Sequence, residues 1–256
     1  SNRALLMDLS AYFDYKSILN NFRHTGTIFK KELRSYFNSA VAYVVIVVFL
    51  AIIGWFFTSN LFLSNVASMR LMFDLVPAVF LFVVPAITMR LLAEEKKTGT
   101  IELLSTKPLH DAEIVVGKFL AAWALIGLAL LPTLIYYLTI ASIGSIDNGP
   151  VIGGYVGLML MAGVYVAVGL LASSLTDNQI VAFIVGFLFV FVLFMLDKIL
   201  IYLPEFMASV VEFLGVDYHF SNIARGVIDS RDIIYFLSIL GFSLYLSVIS
   251  LERRKW

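Results

Sequence analysis

No cysteine occurs in the 256-residue chain, which excludes disulfides, thiolate metal sites and cysteine nucleophiles. Charged residues make up only 14% of the chain, and basic and acidic residues balance at a net charge of zero. This balance argues against a nucleic-acid partner. The pattern Gly-x4-Gly-Lys-Ser/Thr is also missing, so the chain does not supply the loop that cradles nucleotide phosphates in P-loop ATPases.

Apolar residues, in contrast, make up 61% of the chain, and its mean hydropathy is +0.94. Soluble domains average about 45–50% apolar residues, so this chain is predicted to be an integral membrane protein. Its uncharged runs fit helical spans of about 20 residues, whereas the strands of a barrel are half as long and alternate. We predict an all-α integral membrane protein with six transmembrane helices, at about 39–60, 71–92, 113–141, 150–175, 179–203 and 232–251.

An even number of spans places both termini on the same side of the membrane. All but four of the 18 lysines and arginines lie on that side. Because basic residues accumulate in cytoplasmic loops, we predict a multi-pass protein with both termini in the cytoplasm. The four exceptions are Arg70, Lys198, Arg225 and Arg231.

The chain before the first span divides into a mixed cytoplasmic segment, 1–26, and an amphipathic stretch, 27–38. In the second stretch Phe29, Leu33 and Phe37 recur at helical spacing, and the cations lie on the other face. Such a pattern predicts an interfacial helix that lies in the plane of the membrane surface. A lateral gate or a lid over a partner is the alternative. The six-span domain then occupies 39–256.

The loop between the second and third spans is the most polar internal segment. Gly99 is predicted to break the preceding helix, Thr100 to N-cap a short surface helix and Pro108 to end it. Three apolar residues of this helix, Ile101, Leu103 and Leu104, are suited to entering a groove. Asp111 is predicted to cap the next helix.

Two other interpretations of this loop remain open. It is either an ordinary solvated loop, or its acidic residues form a metal or acid–base site with His110. The second interpretation is disfavoured, because lysines flank the carboxylates and a single histidine lacks the spacing of a zinc motif. The acidic residues are Glu94, Glu95, Glu102, Asp111 and Glu113.

The segment before the last span, 197–232, is predicted to lie outside the membrane and to form short helices that dip back toward it, since residues 206–214 are too apolar for a water-exposed loop. His219, Asn222, Arg225 and Asp229 follow at spacings that share one helix face, and Arg225 with Asp229 is predicted to form an ion pair. This segment, with Asp232, either pins itself to its neighbours or forms a substrate exit or a docking site for an outer partner.

The spans contain few features that suggest chemistry of their own. Asp74, Asp197 and Lys198 lie near the outer ends, and the last two are predicted to snorkel outward. An ion-coupled carrier places ionisable groups near the midplane, so that class is disfavoured.

Prolines are predicted to kink the second and third spans, at Pro77, Pro85 and Pro132. Small residues in the fourth span predict close helix packing or, alternatively, a dimer seam: Gly153, Gly157, Gly163, Ala167 and Gly169.

Two motifs carry a family resemblance. The first is Arg90-x3-Glu94-Glu95-Lys96-x2-Gly99-Thr100-x-Glu102-x-Leu104-x3-Pro108, which resembles the coupling loop of type-2 ABC exporter permeases. The second resembles the gliding-motility-associated branch of these permeases and the related branch that serves nitrous-oxide-reductase maturation. It reads His219-Phe220-x4-Arg225-Gly226-Val227-Ile228-Asp229-x2-Asp232-x2-Tyr235-Phe236.

The resemblance implies a permease subunit in a bacterial cytoplasmic (inner) membrane, without catalytic residues or a metal site. A separate cytosolic ABC ATPase would bind ATP and Mg, and a second permease copy or a sister permease would complete the transporter. The alternative is an ATPase-driven membrane anchor or mechanotransmitter that acts on a periplasmic or outer partner without moving substrate. The implied coupling residues are Glu94, Glu95, Gly99, Thr100, Ile101, Glu102, Leu103, Leu104 and Pro108.

Overall fold

A computed structural model describes residues 24–64, 68–100, 110–144, 146–199, 204 and 211–253. Within these ranges the chain forms helices and no strand, so the predicted all-α fold is confirmed. Six helical segments are long and apolar enough to cross a bilayer, which confirms the predicted number of spans. The predicted N-terminal segment, up to residue 23, and the apolar residues 205–210 lie outside the described part.

The described residues form ten α-helices. They are α1 Thr25–Asn38, α2 Ala40–Ser64, α3 Arg70–Thr88, α4 Ala93–Lys97, α5 Asp111–Leu130, α6 Leu134–Ile143, α7 Asn148–Ser174, α8 Gln179–Ile199, α9 Val216–Ala224 and α10 Ser230–Glu252. The first span is α2, the second is α3 with α4, and the third is α5 with α6. The last three spans are α7, α8 and α10.

Helix α7 is the centre of the bundle. It packs against α3, α5, α8, α9 and α10, and 78% of the residues in its most apolar stretch are buried. The same share is 22% or less for α2, α8 and α10, so these three helices form the periphery. Helix α7 therefore lies inside the bundle, with the other helices around it.

The small residues of α7 make this packing possible. A Cβ atom at Gly153 would collide with the carbonyl oxygen of Ile223, and one at Gly157 would lie 2.9 Å from the Phe220 ring. Both neighbours belong to α9. A Cβ at Gly169 would lie 2.2 Å from the hydroxyl oxygen of Thr88, at the end of α3. The predicted use of these glycines in internal packing is therefore confirmed.

The prolines act differently in the two spans. Helix α3 continues through Pro77 and Pro85 without a break. Pro132 lies in a 3₁₀ turn, Leu131–Thr133, that separates α5 from α6. Proline lacks the N–H that an α-helix needs, and the third span accommodates this loss by changing its winding at that point.

A pair of glycine substitutions tests the packing of α9 on α7. Gly153→Ala is expected to lower the free energy of unfolding by about 1–3 kcal/mol, because backbone rather than a mobile side chain occupies the space. Gly241→Ala in α10 is the control, since no atom lies within 4 Å of its added Cβ. Thermal unfolding of the purified chain in detergent measures both, and equal midpoints for the two variants would contradict this packing.

Candidate functional site

A buried lysine joins three helices at the end of the bundle where α1, α4 and the start of α5 meet. Lys118 lies in the second turn of α5 and is only 2% exposed. Its Nζ lies 3.1 Å from Glu32 Oε1 on α1 and 2.9 Å from Glu95 Oε1 on α4. A buried charge is tolerated when it is paired. We name Glu32, Glu95 and Lys118 the Lys118 clamp.

Close packing of α1 on α5 brings the Lys118 clamp together. Gly117 precedes the lysine, and a Cβ there would lie 2.7 Å from the Ile28 side chain of α1. One turn of α1 beyond Glu32, the buried Tyr36 hydroxyl donates to the Ile87 carbonyl at 3.3 Å. Burial, followed by the nearby Glu32 charge, raises the pKa of Tyr36, so this hydroxyl stays neutral and keeps its proton.

A second carboxylate fastens the start of α5 to the start of α1. Glu113 accepts from the backbone N–H of His110 at 3.2 Å and from that of His24 at 2.9 Å. His110 is therefore the N-cap residue of α5, and the prediction that Asp111 caps this helix is wrong. The physical reason is that a glutamate at the third helical position reaches back to the N-cap N–H.

A serine of α7 holds the polar turn between α3 and α4. The Ser173 hydroxyl accepts from the backbone N–H groups of Leu92 and Ala93, at 3.1 and 3.0 Å, and donates to the Met89 carbonyl at 3.0 Å. These three bonds use the full capacity of one hydroxyl. The next residue, Ser174, accepts at its carbonyl from Lys96 Nζ and from the Ser250 hydroxyl. Helix α4 is thus attached to α7 directly.

The two glutamates predicted to serve in coupling face different surroundings. Glu94 pairs with Arg90, with Oε2 and Nε 3.1 Å apart, and both side chains are partly exposed. Glu95 turns inward to Lys118, and its side chain is only 15% exposed. Both line a cleft of about 270 Å³ together with Lys31. Glu95 is placed to position α4, whereas Glu94 is accessible.

Gly99 ends the turn after α4, and its φ of +69° suits glycine. Thr100 is helical again, and its hydroxyl lies 3.0 Å from that of Thr98 and donates to the Glu95 carbonyl at 3.4 Å. Thr100 therefore bonds back toward α4, and the surface helix that it was predicted to N-cap lies outside the described part of the chain. The remaining predicted coupling residues lie outside the described part of the chain: Ile101, Glu102, Leu103, Leu104 and Pro108.

The acidic residues of this end are engaged separately. Glu95 bonds to Lys118, whereas Glu113 bonds to backbone N–H groups. Among the described residues, no three histidine or acidic side chains lie together in a way that could hold a metal ion. The geometry here is that of a structural junction between helices.

At the opposite end of the bundle, the structure brings the predicted residues of the α8–α10 segment into one cleft of about 310 Å³. The lining includes His219, Asn222, Arg225, Asp229 and Asp232. At its base, His219 Nδ1 lies 2.6 Å from Asp232 Oδ1 and Nε2 lies 2.9 Å from the Phe213 carbonyl oxygen. The imidazole also stacks on Tyr235, with ring centroids 3.8 Å apart. His219 thereby pins α9 to α10.

The predicted shared helix face and Arg225–Asp229 ion pair are wrong. Helix α9 ends at Ala224, and Gly226 has a φ of +89° that stops it. Asp229 lies beyond this break and caps α10 by accepting from the Arg231 N–H at 2.9 Å. Within the described ranges no ion pair joins it to Arg225.

Asp197 has a role that was not predicted from the sequence. It was predicted to snorkel outward with Lys198, but its carboxylate accepts from the N–H groups of Asp217 and Tyr218, at 2.8 and 3.2 Å. An acidic residue of α8 thus caps the N-terminus of α9. Gly215 leaves room for it, since a Cβ there would collide with the carboxylate. Lys198 in turn pairs with Asp217 at 2.6 Å.

Removal of the buried cation tests the Lys118 clamp. Lys118→Met is expected to lower the free energy of unfolding by about 3–5 kcal/mol, because Glu32 and Glu95 lose their shared partner. Addition of Glu32→Gln and Glu95→Gln is expected to recover much of this loss. Arg90→Gln, which breaks a partly exposed pair, serves as the control and should cost at most about 1 kcal/mol. An unfolding midpoint of Lys118→Met equal to that of the control would refute the assignment.

Two isosteric substitutions test the tie between α9 and α10. Asp232→Asn is expected to cost about 1–2 kcal/mol in unfolding experiments, because the 2.6 Å charge-assisted bond to His219 becomes a weaker neutral one. Asp229→Asn removes an equal charge from an exposed N-cap, where asparagine caps as well as aspartate. This control should leave the free energy of unfolding nearly unchanged. The account fails here if both variants unfold at the same temperature.

Comparison with known protein families identifies the chain. Residues 26–214 match the family described as ABC-2 family transporter protein. A search of individual curated proteins finds no match. The matched region runs from α1 to the segment that precedes α9, and so includes five of the six spans. Because the match extends over most of its length, the chain belongs to the ABC-2 transporter family and is a multi-pass permease subunit of that family.

Proposed function

We propose that this permease is the membrane subunit of an exporter and that a separate cytosolic ATPase drives it through residues 93–108. The family implies an ATPase partner. The distribution of lysine and arginine supports a cytoplasmic position for the termini and for α4. In this proposal the partner binds ATP and Mg, and the permease converts the partner's movement into helix movement.

The Lys118 clamp is the observation that carries the proposal. It links α4 to α1 and α5, and Ser173 links the start of α4 to α7. A force applied just beyond α4 therefore reaches three helices through short, buried polar contacts. We infer that α1, α4 and the start of α5 move as one body.

The proposal separates the coupling residues that would touch the ATPase from one that positions α4. Glu95 is a positioning residue, since its carboxylate pairs with the buried Lys118. Lys97, Thr98 and Thr100 are exposed and available for contact. Beyond them, Ile101 and Leu104 supply apolar side chains at a spacing that suits insertion of a helix into a groove.

A complete transporter in this proposal contains two permease chains. The centre of one bundle is filled by α7, which is packed on five helices. A substrate route is therefore expected between two bundles, either two copies of this chain or this chain and a sister permease. Helices α2 and α8 expose most of their apolar surface and are available for lipid or for such a partner.

The mechanical alternative rests on the opposite end. Helix α9 is fastened to α8, α7 and α10, and the 310 Å³ cleft beside it opens next to Arg225 and Arg231. A rigid surface of this kind also suits an ATPase-driven transmitter that moves an outer partner. The residues 219–236 are those that resemble the gliding-motility-associated branch, and we place the chain there within the proposal. Cross-linking from Arg225 to an outer protein, without substrate transport, would favour this alternative.

The docking role is tested by measuring binding of the cytosolic ABC ATPase that this proposal assigns to the permease. Ile101→Asp with Leu104→Asp is expected to weaken binding of the ATPase at least about tenfold, because each substitution removes apolar contact area. Val227→Asp, an exposed position at the opposite end, is the control and should leave binding unchanged. Affinity is measured between the purified permease and ATPase. Equal affinities for the two variants would overturn the proposed docking site.

A further inference from the structure

Two cations on the exposed face of α1 have no acidic partner among the described residues. Lys30 and Arg34 are exposed, and neither forms an ion pair with a described side chain. The only acidic residue of α1, Glu32, points to the other side, where Lys118 binds it. The Lys118 clamp thus leaves this face of α1 with uncompensated positive charge.

The connection to α2 places these cations at a membrane boundary. Helix α1 ends at Asn38, and only Ser39 separates it from the first span. Phe37 packs edge-on against Tyr43 of that span, with ring centroids 5.9 Å apart. Arg34 lies six residues before Ala40, the first residue of that span, which is less than two helical turns. Long basic side chains at such a position extend their charged ends into the headgroup layer.

We propose that Lys30 and Arg34 form a binding site for the headgroups of anionic phospholipids. The two residues are four apart, so their side chains project from adjacent turns on one side of α1. Phosphate oxygens accept hydrogen bonds from both, and the guanidinium of Arg34 can bind them in a bidentate manner. The anionic leaflet surface adds attraction of about fivefold in affinity for each basic residue near it.

The chain provides a matched control on the same helix. Lys31 carries the same charge and is also exposed, but it lies 3.8 Å from Glu32 and lines the 270 Å³ cleft beside α4. Its charge is therefore partly compensated and directed away from the Lys30–Arg34 side. Loss of Lys31 removes one cation from α1 without removing the proposed site.

The test measures the response of the purified permease to lipid. The chain, in neutral phosphatidylcholine nanodiscs with increasing phosphatidylglycerol, is followed by its thermal unfolding midpoint. Phosphatidylglycerol is expected to raise the midpoint at low salt, and high salt should weaken this effect. Lys30→Gln with Arg34→Gln should lower the affinity for phosphatidylglycerol on the order of 25-fold, so that the rise in midpoint is largely lost. Lys31→Gln and the charge-preserving pair Lys30→Arg with Arg34→Lys should both respond nearly as the unchanged chain does.

Three results would overturn the proposal. The first is an equal response to phosphatidylglycerol and phosphatidylcholine. The second is a Lys30→Gln, Arg34→Gln variant that responds like Lys31→Gln. The third is an equal rise with soluble glycerol phosphate at the same concentration, which would indicate a free-phosphate site. If the double variant keeps its lipid response but loses the ATPase, these cations contact the ATPase instead. Because the lipid test uses the permease alone, its outcome is independent of the docking experiment.

Discussion

The ammonium group of Lys118 imposes the constraint on which one end of this permease depends. A cation that is 2% exposed is stable only while carboxylates are held against it. The two carboxylates come from helices that do not follow one another in the chain, α1 and α4. Keeping Lys118 paired therefore requires both helices to stay docked on α5. This requirement turns a polar loop between two spans into a fixed part of the membrane domain.

Helix α7 extends that fixed part across the protein. Its 27 residues correspond to about 40 Å of helix. At one end Ser173 holds the turn that precedes α4, and toward the other end Gly153 and Gly157 lie directly against α9. Polar bonds thus secure one end of α7, and close packing against α9 secures the other. Such an arrangement suits a permease in which movement at one surface is carried to the other by whole helices.

The sequence was sufficient to predict the spans and the packing role of the α7 glycines, because both depend on local composition and spacing. The Lys118 clamp was not predictable, since Glu32 is 86 residues away from Lys118 and nothing local marks them as partners. The same holds for Asp197, which caps a helix 20 residues further along the chain. The predicted ion pair between Arg225 and Asp229 is wrong for a different reason. Its spacing is right for a continuous helix, but Gly226 ends that helix. A glycine followed by an aspartate before an apolar run is a recognisable stop-and-start signal.

The central claim is that α1, α4 and the start of α5 move as one body when the ATPase acts. The most direct measurement places spin labels at two exposed positions, Ser35 on α1 and Thr98 after α4, in the assembled permease–ATPase complex. The distance distribution between the labels is recorded without nucleotide and with ATP trapped on the ATPase. The account predicts the same distribution in both states. A shifted or second distance in the ATP-trapped state would show that the two elements separate, and would contradict it.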